Sequence, residues 1–170
     1  MATLLKGYPG ARRALFAAYH IGGCQSCAYR EDETLAEVCQ RNEIEVTDAL
    51  RTLSESQTRD QAMLLSPSEL QSRLASDDPP LILDIRTREE FEAVSLPGSV
   101  FMTQEKQTEL FAGNQKRAIV LVDHSGRSVL DQCAWFQGHG LSETRGLDGG
   151  IDRWAQDIDS SIPRYRLELE

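Results

Sequence analysis

The sequence is short of cysteine, of basic residues and of long apolar runs, and each shortage excludes a class of protein. Four cysteines in 170 residues are too few for the disulfide framework of a small secreted domain. A formal net charge of −9 is the opposite of the basic balance that binds a phosphate backbone, so we expect no nucleic-acid partner. Apolar runs such as residues 118–122 are too short to span a bilayer, and the start lacks the apolar region of a signal peptide. We therefore expect a cytoplasmic protein with no membrane contact.

Hydrophobic residues make up 40% of the chain, which is enough for a sizeable core. One short stretch, residues 54–61, has no large apolar side chain and therefore has the composition of a linker. The sequence predicts a first domain over residues 1–57, a linker over 58–63 and a second domain over 64–166.

Apolar residues in the first part recur at the spacing of α-helices. Residues 11–19 form one apolar face that stops at the glycine pair 22–23, where a helix can end. Thr34 and Glu37 have the spacing of a capping box at the start of a second helix. Residues 46–53 mark a third helix, so the first part is predicted to be a small all-α domain.

The second part alternates short β-like runs with helical stretches. Capping boxes at Ser66 and Thr87 begin two of these helices. Predicted strands lie at residues 81–85, 99–102, 118–122 and 144–147. The alternation predicts an α/β domain with a mainly parallel sheet flanked by helices, in which ligands bind beyond the carboxyl ends of the strands.

A tight loop from Asp123 to Ser128 leaves the strand at 118–122 and enters a helix. Several backbone N–H groups beside a helix N-terminus can cradle an anion, and Arg127 would add positive charge. An ordinary turn with Ser128 as the helix N-cap fits the same residues, and the spacing alone favours that turn.

Three motifs in the correct order resemble a rhodanese domain over residues 64–164. The first runs from Leu83 to Ser99, with Ser95 where the family often has histidine. The loop at Asp123 is the second. The third is the Asp-Gly-Gly-Ile element at 148–151, followed by Trp154. The resemblance implies the α/β rhodanese-like fold.

This sequence differs from active rhodaneses at the position of their reactive cysteine. Active rhodaneses carry a sulfane sulfur on a cysteine where this chain has Asp123, and the loop here is one residue shorter than is usual in the family. A carboxylate cannot hold that sulfur, repels anionic donors and occupies the same N–H groups. We therefore predict a catalytically silent domain with no confirmed catalytic residue. The degenerate loop consists of Asp123, His124, Ser125, Gly126, Arg127 and Ser128.

One side chain after this loop and one within it have plainer roles in our interpretation. Cys133 shares a helix face with apolar residues and is predicted to fill the core. His124 is predicted to be a solvated loop histidine, because no nucleophile stands beside it.

The first part carries a Cys-x-x-Cys pair, Cys24 and Cys27. This spacing allows a small disulfide ring or adjacent metal ligation. We predict a redox-active pair without a cofactor. With His20 and Cys39 the pair would complete a zinc or iron–sulfur site, but Cys39 also suits the core and His20 suits a helix C-terminus. Inert thiols are the third alternative.

Residues 3–55 also resemble a small helical domain found beside hybrid-cluster and iron–sulfur repair proteins. The resemblance rests on Tyr8-Pro9, the cysteine pair, Thr34-Leu35 and Ala49-Leu50. It implies a cysteine-pair domain linked to nitrosative or oxidative stress and to iron–sulfur chemistry.

Two functional hypotheses follow from these parts. In the first, the chain is a thiol-based redox or sulfur-related sensing or docking module, whose second domain recognises a protein partner or a small anion in sulfur or iron–sulfur metabolism. In the alternative, it is a sulfurtransferase or persulfide carrier whose working thiol is Cys24 or Cys27. Sulfur transfer to cyanide with and without these two thiols separates the hypotheses.

Overall fold

The computed structural model describes residues 1–22, 28–114 and 117–165. Contacts divide the chain into two compact units, Met1–Ala62 and Met63–Glu170. Among the described residues, no helix is both long enough and apolar enough to cross a membrane.

The first unit is helical, as its apolar spacing predicts. Its helices are α1 (Ala2–Gly7), α2 (Ala11–Tyr19), α3 (Leu35–Arg41) and α4 (Val46–Ala62). The core holds Leu15, Ile21, Val38 and Leu53. The predicted capping box at Thr34 is present and begins α3. Helix α1 was not predicted, because six residues are too few to show a helical period.

The predicted linker over residues 58–63 is wrong in its conformation, because α4 continues to Ala62. Ser56 and Asp60 are buried on one side of that helix, and Arg13 of α2 donates a hydrogen bond to the Asp60 carboxylate. The polar face of α4 therefore packs against α2 through an ion pair, where apolar side chains are missing. The division into a first domain over residues 1–57 and a second over 64–166 stays a prediction.

The second unit confirms the predicted parallel sheet flanked by helices. Within the described part of the chain, five strands lie in the order β1-β5-β4-β2-β3, and all neighbours are parallel. The strands are β1 (Leu64–Leu65), β2 (Leu81–Asp84), β3 (Val100–Phe101), β4 (Ile119–Val122) and β5 (Thr144–Leu147). The helices are α5 (Pro67–Leu74), α6 (Arg88–Ala93), α7 (Gln104–Glu109), α8 (Val129–Gly138) and α9 (Gly150–Asp157), with a π-helical turn at Leu110–Asn114.

Apolar side chains cover both faces of this sheet. One face packs Ile82, Val120, Val122, Leu147 and Trp154. The other packs Leu83, Leu121, Val129, Cys133 and Phe136. Cys133 is fully buried there, which confirms its predicted place in the core.

The register of the two central strands positions the site. Asp84, the last residue of β2, pairs with Val122, the last residue of β4. The residues that follow these two strands therefore start from the same edge of the sheet. The capping box at Thr87 begins α6 directly after β2, as predicted, and its partner Glu90 lies one turn into that helix.

Candidate functional site

The Asp123 carboxylate accepts hydrogen bonds from its own loop. Asp123 directly follows β4 and is buried, with 5% of its surface exposed. Its Oδ1 accepts from the Gly126 N–H, and its Oδ2 accepts from the Ser128 N–H at 2.7 Å. The side chain thus occupies amide donors of the loop, as the sequence suggested. Ser128 is the N-cap of α8, but its own side chain makes no capping hydrogen bond.

Three glycines allow this loop to touch the start of α9. Gly126 has φ +77°, and a Cβ on it would lie 2.5 Å from the Gly149 nitrogen. Gly150 has φ +59°, and a Cβ on it would lie 2.5 Å from the Asp123 carbonyl oxygen. Since only glycine fits such contacts and dihedral angles without strain, the paired glycines of the third motif have a packing role at the site.

Hydrogen bonds from the start of α9 then hold the loop. The Ile151 N–H donates to the Asp123 carbonyl at 2.9 Å, and the Asp152 N–H donates to the His124 carbonyl at 3.1 Å. The first turn of a helix has N–H groups without partners inside the helix. Here two of them fix the backbone that carries Asp123 and His124.

A buried ion pair lies at the end of the neighbouring strand. Arg86 Nη2 lies 2.6 Å from Asp84 Oδ2, Arg86 Nε lies 3.0 Å from Asp84 Oδ1, and both residues are buried. Arg86 also donates to the Val94 carbonyl at 2.6 Å. Burial opposes the charge of Arg86, but hydrogen bonds to Asp84 and Tyr165 outweigh it and raise the pKa of the guanidinium. The arginine is charged, and Asp84 balances that charge.

Tyr165 completes the site and was missed by sequence reasoning. Its hydroxyl accepts a hydrogen bond from Arg86 Nη1 at 2.6 Å and donates one to Glu90 Oε1 at 2.9 Å. These partners are 79 and 75 residues away in the chain, so no local motif marks the tyrosine.

The protonation states of this pair follow from its hydrogen bonds. Burial raises the pKa of Tyr165, and the hydrogen bond to Glu90 raises it further. Burial also opposes ionisation of Glu90, but hydrogen bonds from Tyr165 and Thr87 outweigh it and lower the pKa of that carboxyl. At neutral pH the site therefore contains a phenol that donates to a carboxylate.

His124 is half-buried, so the prediction of a solvated loop histidine is wrong. Its ring centroid lies 4.5 Å from that of Tyr165 at an interplanar angle of 44°. Its Nδ1 atom is buried and has no hydrogen-bond partner among the residues that the structure describes. The aromatic contact with a residue distant in sequence shields part of the ring from water.

Arg86, Glu90, Asp123 and His124 border a cavity of about 310 Å³ at the carboxyl ends of β2 and β4. Its lining residues are Ile85, Arg86, Thr87, Glu90, Asp123, His124, Ser125 and Ser128. Asp123 and Glu90 bring two carboxylates, whereas the Arg86 charge is already balanced. Arg127 is exposed and is not among the described residues that line this cavity, so the positive charge expected at the cradle is not brought to it. The balance of charge disfavours an anionic ligand.

The predicted thiol and metal residues are only partly described. Cys24 and Cys27 lie outside the described residues, so the redox pair stays a prediction. Cys39 is fully buried in α3, and burial raises the pKa of its thiol. His20 is exposed and ends α2 in the left-handed conformation. In the ranges that the structure covers, no three potential ligands are grouped as a metal site would require.

Comparison with known proteins identifies the second unit. Residues 66–157 match the family described as Rhodanese-like domain. A curated relative, Adenylyltransferase and sulfurtransferase UBA4 from Debaryomyces hansenii, is 24% identical over 95 residues, covering 50% of this chain and 21% of that protein. Rhodanese-like/PpiC domain-containing protein 12, chloroplastic, from Arabidopsis thaliana is 31% identical over 104 residues, covering 58% of this chain and 34% of that protein.

A solved structure supports the fold alone. The BH2092 protein from Bacillus halodurans superposes with a TM-score of 0.52 at 14% identity, covering 74% of this chain and 95% of that chain. The chain spans about a third or less of the two curated relatives. Because the family match covers more than half of the 170 residues, the chain belongs to the Rhodanese-like domain family.

Proposed function

We propose that this chain is a sensing or docking module, in which the rhodanese-like domain binds a protein partner without transferring sulfur and Cys24 and Cys27 supply the redox chemistry. One observation carries the proposal. The Asp123 carboxylate accepts the N–H groups of Gly126 and Ser128. The side chain at the reactive position is thus engaged as a fixed anion of the fold.

The chemistry of sulfur transfer requires a different side chain at this position. A thiolate attacks the sulfane sulfur of a donor, forms a persulfide and releases the remainder of the donor as an anion. A carboxylate oxygen does not form a stable equivalent of that sulfur–sulfur bond. An anion about 4 Å from the carboxylate would also be repelled by roughly 4 kcal/mol at an effective dielectric constant of about 20.

The charge of the cavity favours a protein partner over a small anion. Glu90 and Asp123 both line it, and Arg86 is already paired with Asp84 at 2.6 Å. A partner side chain that donates hydrogen bonds meets acceptors there, whereas an anion meets two like charges.

Sulfur transfer from thiosulfate to cyanide tests the proposal. We expect no transfer by a Cys24→Ser, Cys27→Ser double variant, because no thiol then remains at either proposed reactive position. Sustained turnover by this variant would overturn the proposal. Cys133→Ser in the same background is the matched control, since Cys133 is fully buried and its loss should change nothing in the assay.

Asp123→Cys sharpens the test. We expect this substitution alone to restore little activity, because the loop from Asp123 to Arg127 is one residue short of the family pattern and its N–H groups are aimed accordingly. Donors of this kind are each worth about 3 to 4 kcal/mol when well placed. A second variant with one residue inserted before Gly126 is expected to be the more active of the two. Full activity from the single substitution would show that loop length is unimportant.

Similarity to a curated sulfurtransferase favours a second candidate function. In this candidate function Cys24 or Cys27 carries the sulfur as a persulfide, and the rhodanese-like domain supplies only a binding site. Intact-mass measurement after incubation with thiosulfate would show the added mass of one sulfur atom, and Cys24→Ser or Cys27→Ser would abolish it. Unchanged mass in the wild type would exclude this candidate.

A further inference from the structure

The segment that follows α9 is held against the site by specific contacts. Ile162 is buried in the core of the second unit. Arg164 donates two hydrogen bonds to the Asp152 carboxylate of α9, at 2.7 and 2.9 Å. The next residue is Tyr165, whose hydroxyl lies between Arg86 and Glu90. The position of the phenol is therefore supported on both the backbone side and the hydroxyl side.

Three groups around Tyr165 select for a phenol. Arg86 can only donate a hydrogen bond and the Glu90 carboxylate can only accept one, so the atom between them must accept and donate at once. A hydroxyl does this, whereas an indole N–H only donates and a phenylalanine ring does neither. The His124 ring, 4.5 Å from the tyrosine ring, adds an aromatic contact that a serine or threonine hydroxyl could not use.

We infer that Arg86, Glu90 and His124 form a binding site for a tyrosine side chain, which Tyr165 fills in the free protein and a tyrosine of the protein partner fills after Tyr165 is withdrawn. The inference rests on the proposed function in one respect, which is that this cavity binds a partner and does not transfer sulfur. It adds the chemistry of the group that is recognised.

The exchange needs no new interaction within the site. When Tyr165 leaves, Arg86 Nη1 and Glu90 Oε1 each lose the partner that they have at 2.6 and 2.9 Å, and an incoming phenol restores both. Arg86 keeps its hydrogen bonds to Asp84 and to the Val94 carbonyl. The Asp84–Arg86 pair can therefore stay in place while the occupant changes.

Chemical rescue in Tyr165→Ala tests the inference directly. Removing the phenol leaves a space of the same shape, and p-cresol reproduces the missing side chain. We expect saturable p-cresol binding by this variant, and wild-type binding at least tenfold weaker because Tyr165 competes. Toluene lacks the hydroxyl and should bind the variant at least tenfold more weakly than p-cresol, as expected for lost hydrogen bonds to charged groups. Equal affinity for the two would overturn the inference.

The His124 ring provides a readout within the site. Its NMR resonances should shift in Tyr165→Ala, because the aromatic neighbour at 4.5 Å is lost, and p-cresol should return them toward their wild-type positions. Tyr8→Ala is the matched control, since Tyr8 is 42% exposed in the first unit. It should bind p-cresol no more tightly than the wild type and should leave the His124 resonances unshifted. His124 resonances that are unchanged in Tyr165→Ala would contradict the contact.

Two more variants keep the test decisive. Glu90→Gln added to Tyr165→Ala should reduce the preference for p-cresol over toluene several-fold, because the anionic acceptor is replaced by a neutral amide. If Tyr165→Ala does not fold, Tyr165→Phe carries the test, because its ring lacks both hydrogen bonds. p-Cresol should bind Tyr165→Phe at least tenfold more tightly than it binds the wild type, and equal affinities would overturn the inference.

The source of the phenol is tested with N-acetyltyrosinamide. Binding of this compound to Tyr165→Ala, with at least tenfold weaker binding of N-acetylphenylalaninamide, would support a peptide tyrosine as the ligand. Binding of p-cresol without N-acetyltyrosinamide would overturn the proposed partner. The cyanide assay distinguishes failure of the proposed function from failure of the inferred tyrosine site. Sulfur transfer by the double cysteine variant would overturn the proposed function and would leave the p-cresol result unchanged.

Discussion

Two buried aspartates at the ends of neighbouring strands are stabilised in opposite ways. Asp84 ends β2 and pairs with the Arg86 guanidinium at 2.6 Å. Asp123 follows β4 and accepts only backbone N–H groups in the described contacts. The first arrangement leaves no net charge, whereas the second leaves one negative charge at the cavity. The comparison teaches that burial alone does not define a carboxylate's role, because the partner decides whether its charge is cancelled or presented.

Breaking the Asp84–Arg86 pair is expected to cause the largest loss of folding stability. Arg86→Met would leave the Asp84 charge buried without its partner, and such losses cost about 3 to 5 kcal/mol of stability. Urea unfolding measures this free energy. Arg88→Met is the control, because Arg88 is 59% exposed, its partner Glu92 lies 3.8 Å away and its guanidinium lies 4.8 Å from the centre of the Phe101 ring, so a loss of about 1 kcal/mol is expected. Equal losses in the two variants would show that the buried pair has no special importance.

Separating the Asp123 loop from α9 is expected to cause the next largest loss of folding stability. Gly150→Ala would place a Cβ 2.5 Å from the Asp123 carbonyl oxygen at φ +59°, which we expect to cost about 1 to 3 kcal/mol. Gly138→Ala is the matched control. No atom lies within 4 Å of its added Cβ, so this exposed helical position should gain about 0.4 to 1 kcal/mol. Thermal unfolding of both variants should therefore shift in opposite directions, and a shared sign would contradict the geometry.

Loss of the Glu90–Tyr165 hydrogen bond is expected to cause the smallest loss of folding stability of the three, and the size of that loss should depend on pH. The pKa of Glu90 is lowered in the folded protein, so its stabilisation is present above the unfolded-state pKa of about 4.3 and is lost as the pH falls through the folded-state pKa. The stability difference between wild type and Glu90→Gln should shrink on acidification from pH 6. Glu89→Gln, on the exposed side of α6, is the control. A difference that grows toward acidic pH would contradict this sign.

Local features of the fold were predictable from the sequence. The capping boxes at Ser66 and Thr87 are present, because each joins residues only three apart. The strand Thr144–Leu147 has the predicted bounds, and the continuous apolar run at residues 118–122 contains the strand Ile119–Val122. Strand β1 was missed as a strand because two residues, Leu64–Leu65, show no period.

Long-range features of the site were not predictable. The contacts of Tyr165 with Glu90 and with the half-buried His124 depend on the path of the chain after α9. The helical continuation of α4 through the predicted linker is accompanied by the pairing of Arg13 with Asp60 across 47 residues. In both cases a polar side chain meets a partner that no local pattern specifies.

The central claim is that the Asp123 carboxylate occupies the place of an anion in its own loop. Thiosulfate binding, measured by calorimetry on wild type and on Asp123→Ala, tests it most directly. The variant frees the Gly126 and Ser128 N–H groups that Asp123 engages and removes the repelling charge. We predict saturable thiosulfate binding by Asp123→Ala that is at least tenfold tighter than binding by the wild type. Equal binding by the two proteins would contradict the account.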